Sequence, residues 1–114
     1  MGFKVVLGSV AAATVAMSIW ASATWADDTG VASIHALRRE GGRICMVDHW
    51  HFGSSGAQRS QGVAQRTAIR AWQEFTDFEY GSDWARFSRA AAKRVRCSRR
   101  SAGWYCDVEA RPCR

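Results

Sequence analysis

His49 and His51 have the types and spacing that metal chemistry requires. They lie in residues 44–52, ICMVDHWHF, a run rich in β-formers and bounded by Gly42 and Gly53, which reads as a strand. Alternation sets Cys45, Val47, His49 and His51 on one face, and Ile44, Met46, Asp48, Trp50 and Phe52 on the other. Both imidazoles therefore converge on one side, where they can share a zinc or copper ion. A site needs at least three ligands, and His35 in the N-terminal arm is the candidate third. The primary expectation is that no cofactor is bound, with zinc or copper at this pair as the alternative.

Two charged groups compete with the histidines for a functional role. Glu74, Asp77 and Glu79 fall in the last turns of an amphipathic helix, where the helix dipole disfavours anions. Pairing of Glu74 with Arg70, or of the cluster with Arg86 and Arg89, would compensate; a catalytic carboxylate or a cation site is the sharper reading. Arg86, Arg89, Lys93, Arg94, Arg96, Arg99 and Arg100 follow with no acid among them. Such a run attracts anions, and Trp84, Phe87, Trp104 and Tyr105 would add stacking. A small basic hydrolase or nuclease would need His35 to swing towards the other two histidines. No G-x-S-x-G elbow accompanies Ser54 or Ser55, and no catalytic residue is assigned.

The elements that position these residues centre on residues 63–96. Ala64, Ala68, Trp72 and Phe75 recur on one helical face, and Trp84, Phe87 and Ala91 repeat the pattern. Gly81 separates them as a helix stop, with Ser82 and Asp83 opening the next turn. The sequence thus predicts two helices with Trp72, Phe75, Trp84 and Phe87 buried. The first begins at the Ser55–Gln58 capping box or at Ser60. Residues 94–97 and 104–110 read as strands joined by a polar turn. The expected fold is α+β: a small antiparallel sheet of about three strands, a two-helix layer on one face, and disulfide staples.

Residues 1–26 read as a secretory signal peptide, with Lys4, an apolar run and small residues before cleavage at Ala23 or Ala26. Residues 27–43 form an arm or a short helix striped by Val31, Ile34 and Leu37, and residues 44–114 the compact domain. Cleavage after Ala26 leaves 88 of the 114 residues (114 − 26), no stable membrane span and a modest core. Four cysteines, Cys45, Cys97, Cys106 and Cys113, then imply two disulfides in an oxidising compartment, with three connectivities open. No C-x-x-C spacing supports a four-cysteine zinc site.

Trp72, Phe75-Thr76, Glu79-Tyr80-Gly81, Trp84, Trp104-x-Cys106 and the ending Ala110-Arg111-Pro112-Cys113 resemble a group of small exported bacterial proteins of uncharacterised function. The resemblance covers about two-thirds of the chain (residues 45–114) and implies no activity, cofactor or site. With a net charge of +6, the chain is expected to act by binding, periplasmic or secreted. The seven-cation stretch would contact an anionic envelope polymer or an acidic protein.

Overall fold

The computed structural model describes residues 1–2 and 28–114. The proposed signal peptide falls almost wholly outside these residues. The described residues fold as α+β with one α-helix, α1 (Gln61–Tyr80), and two antiparallel sheets. A hairpin of β1 (Leu37–Glu40) and β2 (Arg43–Met46) forms the smaller sheet. The larger contains β3 (His51–Ser54), β4 (Ala91–Arg100) and β5 (Gly103–Arg111) in the order β3-β5-β4. None of the described helices is long and apolar enough to cross a membrane.

Helix α1 begins at Ser60, whose hydroxyl accepts from the Val63 N–H, so the later of the two predicted starts is used. It ends at Gly81, where φ is +99°. The buried ridge is Ala64, Ala68, Trp72, Thr76 and Tyr80, a strict i, i+4 row. Phe75, expected inside, is 51% exposed. The ridge continues through a threonine and a tyrosine because each finds a hydrogen bond within the fold.

Helix α1 meets β3 at backbone contact. A Cβ on Gly53 would fall against the Ala68 carbonyl oxygen and the Trp72 nitrogen. Across this contact the Trp72 indole N–H donates to the His51 carbonyl at 3.0 Å. Ala64, Ala68, Trp72, Phe87, Ala90, Cys106, Val108 and Ala110 close the main core. A second cluster joins Ala32, Met46, Tyr80 and Trp84.

The two-helix layer does not form. Beyond Gly81 the chain makes short 3-10 turns at Ser82–Trp84 and Phe87–Arg89, then enters β4. Trp84 fills the second cluster and Phe87 the first, so the two aromatics serve different cores. Residues 91–96 favour helix locally, but pairing with β5 overrides that preference.

Residues 44–52 are not one strand either. Paired residue numbers sum to 161 for β3 with β5 (His51↔Ala110) and to 158 at Cys45↔Cys113. Three extra residues are therefore held between β2 and β3, and His49 lies on this excursion. The N-terminal arm carries a 3-10 turn at Val31–Ile34 and then β1, and the expected boundary after Arg43 falls inside β2.

Disulfides Cys45–Cys113 and Cys97–Cys106 settle the connectivity. The first ties the hairpin to the C-terminal tail, and the second joins opposite residues of β4 and β5. Both indicate an oxidising location. Arg111, 8% exposed, adds a polar tie: it donates to the Met46 carbonyl and to Glu40 Oε1 at 2.8 Å. Hydrogen bonds from Arg111 and Arg38 hold the Glu40 carboxyl down at about 2.

Gly53→Ala should displace α1 from β3 and lower stability by about 2–4 kcal/mol, because backbone must move to admit the methyl group. Urea unfolding of the variant beside the parent checks this. An unchanged midpoint would rule out the backbone contact.

Candidate functional site

Three separate segments bring His35, His49, His51, Glu79 and Tyr80 together. His35 follows the first 3-10 turn, where its N–H donates to the Ala32 carbonyl at 3.1 Å. His49 sits on the excursion before β3, and His51 is the first residue of β3. Glu79 and Tyr80 are the last two residues of α1. The N-terminal segment closes this helix end: the Thr29 hydroxyl donates to the Glu79 carbonyl at 2.7 Å, and the Thr29 N–H to the Tyr80 carbonyl at 3.3 Å.

The rings pack closely. The His35 and His49 centroids are 4.4 Å apart, and those of His49 and His51 are 5.0 Å apart. His51 stacks on Tyr80 at 5.0 Å and touches Phe75 at 4.7 Å. His35 Nε2 is 2.9 Å from the Tyr80 hydroxyl. One ligand atom from each of His35, His49 and Glu79 lies within 4.8 Å of the other two. The rings of His49 and His51 meet and His35 joins them, although His49 lies off the strand whose alternation led to that expectation.

Proton positions at His51 follow from its neighbours. The Thr76 hydroxyl donates its only proton to the Trp72 carbonyl at 2.7 Å. At 2.8 Å from His51 Nδ1, the same oxygen must therefore accept from Nδ1–H. In a neutral ring this leaves the Nε2 lone pair facing Glu79 Oε2 at 2.8 Å and His49 Nε2 at 3.1 Å. Burial disfavours the charged ring and pushes His51 down to about 4, against the attraction of Glu79. Burial, and then the charge of His35, also lower His49, while burial raises Tyr80 and keeps its phenol protonated. Nε2 and Oε2 are both acceptors in this state, so the contact needs a shared hydrogen or a cation between them, and burial disfavours supplying it by charging the ring.

The sequence offers Glu79, as one of three acids, either an arginine partner or a role as a catalytic carboxylate or cation ligand. Its partner is His51, and among the described residues no Lys or Arg pairs with it. Arg86 instead reaches Asp83, at 3.8 Å. A signal for this existed: Phe75, Thr76, Ser82 and Asp83, three and four residues from Glu79, include no base. Thr76 and Tyr80 carried no such signal, because their roles depend on the histidines beside them.

The seven predicted anion-binding cations do not share one face. Arg86 and Arg89 belong to the turn region, Lys93 lies at the β4 irregularity, and Arg94, Arg96, Arg99 and Arg100 lie along β4. Arg94 pairs with Glu109 at 2.9 Å, and Arg96 stands opposite Asp107. Acids of β5 thus interleave a stretch that is purely basic in sequence. Comparison of the chain with family models, curated proteins and solved structures gives no match.

A buried neutral His51 makes the fold acid-sensitive. The unfolded ring titrates near 6.5 and the folded ring near 4, so the unfolded chain binds more protons between these values. Stability of chelator-treated protein should fall by about 1–2 kcal/mol from pH 6.5 to 5. His51→Gln should flatten that slope. Urea midpoints across this range check it; equal slopes for the two proteins would contradict the assignment.

Proposed function

We propose that this is an exported protein, periplasmic or secreted, that binds one divalent transition-metal ion, zinc or copper(II). Its ligands are drawn from His35, His49, His51 and Glu79. The observation that carries the reading is that His35, His49 and Glu79 each place a ligand atom within 4.8 Å of the others, that His51 Nε2 touches both His49 and Glu79, and that no Lys or Arg pairs with this carboxylate among the described residues. Imidazole nitrogen with carboxylate oxygen suits zinc and copper. Neighbouring donors of a tetrahedral zinc, with bonds of 2.0–2.1 Å, stand about 3.3 Å apart. The 2.8 and 3.1 Å separations around His51 Nε2 approach that spacing.

A metal ion also resolves the conflict at His51. It supplies positive charge between Nε2 and Oε2 without a proton on the buried ring. Supporting hydrogen bonds are of the kind that fix metal-binding histidines. Thr76 accepts from His51 Nδ1–H and frees Nε2, while Tyr80 can accept from His35 Nε2–H and free Nδ1. Lowered titration of His49 and His51 keeps both rings in the ligating form below neutral pH.

Calorimetric titration of chelator-stripped protein with zinc and with copper(II) tests the reading. One ion per chain is expected. His49→Ala with His51→Ala should abolish tight binding, and Glu79→Gln should weaken it. Thr76→Val, which removes only a supporting hydrogen bond, should cost about 10–100-fold in affinity. Equal heats and affinities for the parent and the double variant would contradict the site.

A further inference from the structure

The outer face of the larger sheet, opposite α1, is used neither by the core nor by the histidine cluster. Register sets Phe52, Glu109 and Arg94 in one row across the strands, and Ser54, Asp107 and Arg96 in the next. Such rows are about 6.6–6.8 Å apart along the strands. Nearby rings are already covered by guanidinium groups. Trp50 lies 5.6 Å from Arg94 and 5.9 Å from Arg111, and Tyr105 lies 4.5 Å from Arg100. Phe52 has no such cover and is 62% exposed.

Phe52 opens on a pocket of about 200 Å³ lined by Arg94, Arg96, Asp107, Val108 and Glu109. Arg94 is held by Glu109 at 2.9 Å, and Asp107 accepts from Ser54 Oγ at 2.6 Å. Of the pocket's charged groups, only Arg96 has no side-chain partner among the described residues. A ligand suited to this surface has a planar ring for Phe52 and an anion beside it for Arg96. It also has amino donors for the remaining carboxylate oxygens.

We infer that this face binds single-stranded nucleic acid. Phe52 stacks one base, Arg96 takes the adjoining phosphate, and Arg100 continues the basic side along β4. Unpaired bases are required, because a duplex keeps its ring faces stacked away from a sheet. Asp107 and Glu109 accept from an exocyclic amino group, which cytosine has and thymine lacks. The net charge of +5 left after removal of residues 1–26 (15 − 10, Lys4 being lost) supplies the long-range attraction.

The test is fluorescence anisotropy of a labelled oligodeoxycytidine at low salt in the presence of chelator, which separates this site from the metal reading. Heparin, an anion without bases, is titrated in parallel. Phe52→Ala and Phe52→Leu should each weaken oligodeoxycytidine binding about tenfold, since neither offers a ring, and leave heparin binding unchanged. Arg96→Gln should weaken both and reduce the salt slope for the oligonucleotide by about 0.7. Phe52 is largely exposed, so its variants should melt with the parent. No oligonucleotide binding by the parent, unchanged binding after both Phe52 substitutions, or an equal loss towards heparin would overturn the proposal.

Discussion

The close approach of α1 to β3 governs everything else in this molecule. It needs a residue without a side chain at Gly53, small residues at Ala64 and Ala68, and one indole that hydrogen-bonds across the gap. Trp72 supplies that bond to the His51 carbonyl, so the backbone at the start of β3 is held by the helix core. One turn further along, Thr76 meets the His51 ring, and the final residues of α1 place Glu79 and Tyr80 beside the other histidines. The packing ridge thus runs into the candidate site at Thr76 and Tyr80, with Glu79 beside it. Shifting the helix by one position would dismantle both.

The hairpin and the C-terminal tail complete the arrangement from the other side. Ile44 and Arg114 exchange backbone hydrogen bonds of 2.9 Å, Cys45 is bonded to Cys113, and Arg111 reaches Met46 and Glu40. These ties anchor the β2 end of the excursion that carries His49, and pairing of His51 with Ala110 anchors the other. A domain this small gains much from covalent closure, and the Cys45–Cys113 bridge spans 68 residues.

Much of this could be read from residues alone. Ser60 and Gly81 bound the helix through local capping and φ preference, and alternation around Cys97 and Cys106 located β4 and β5. His35 is a candidate third ligand by residue type alone, and no spacing in the sequence places it beside His49 and His51. Other features depend on contacts that no local pattern encodes. Phe75 looked like core because it follows Ala64, Ala68 and Trp72 at helical spacing, yet Thr76 and Tyr80 continue that row, buried and hydrogen-bonded. Residues 91–96 favour helix, and only the partner strand makes them part of β4. Residues 44–52 alternate as a strand should, but the disulfide register and the β3 register differ by three residues, and the excursion absorbs the difference.

The most direct measure of the central claim is X-ray absorption at the zinc edge of the loaded protein. The account predicts a shell of imidazole nitrogens at about 2.0–2.1 Å with the multiple-scattering pattern of at least two rings, together with one carboxylate oxygen. A shell of oxygens alone, or a single imidazole, would show that the three histidines and Glu79 do not form a metal centre.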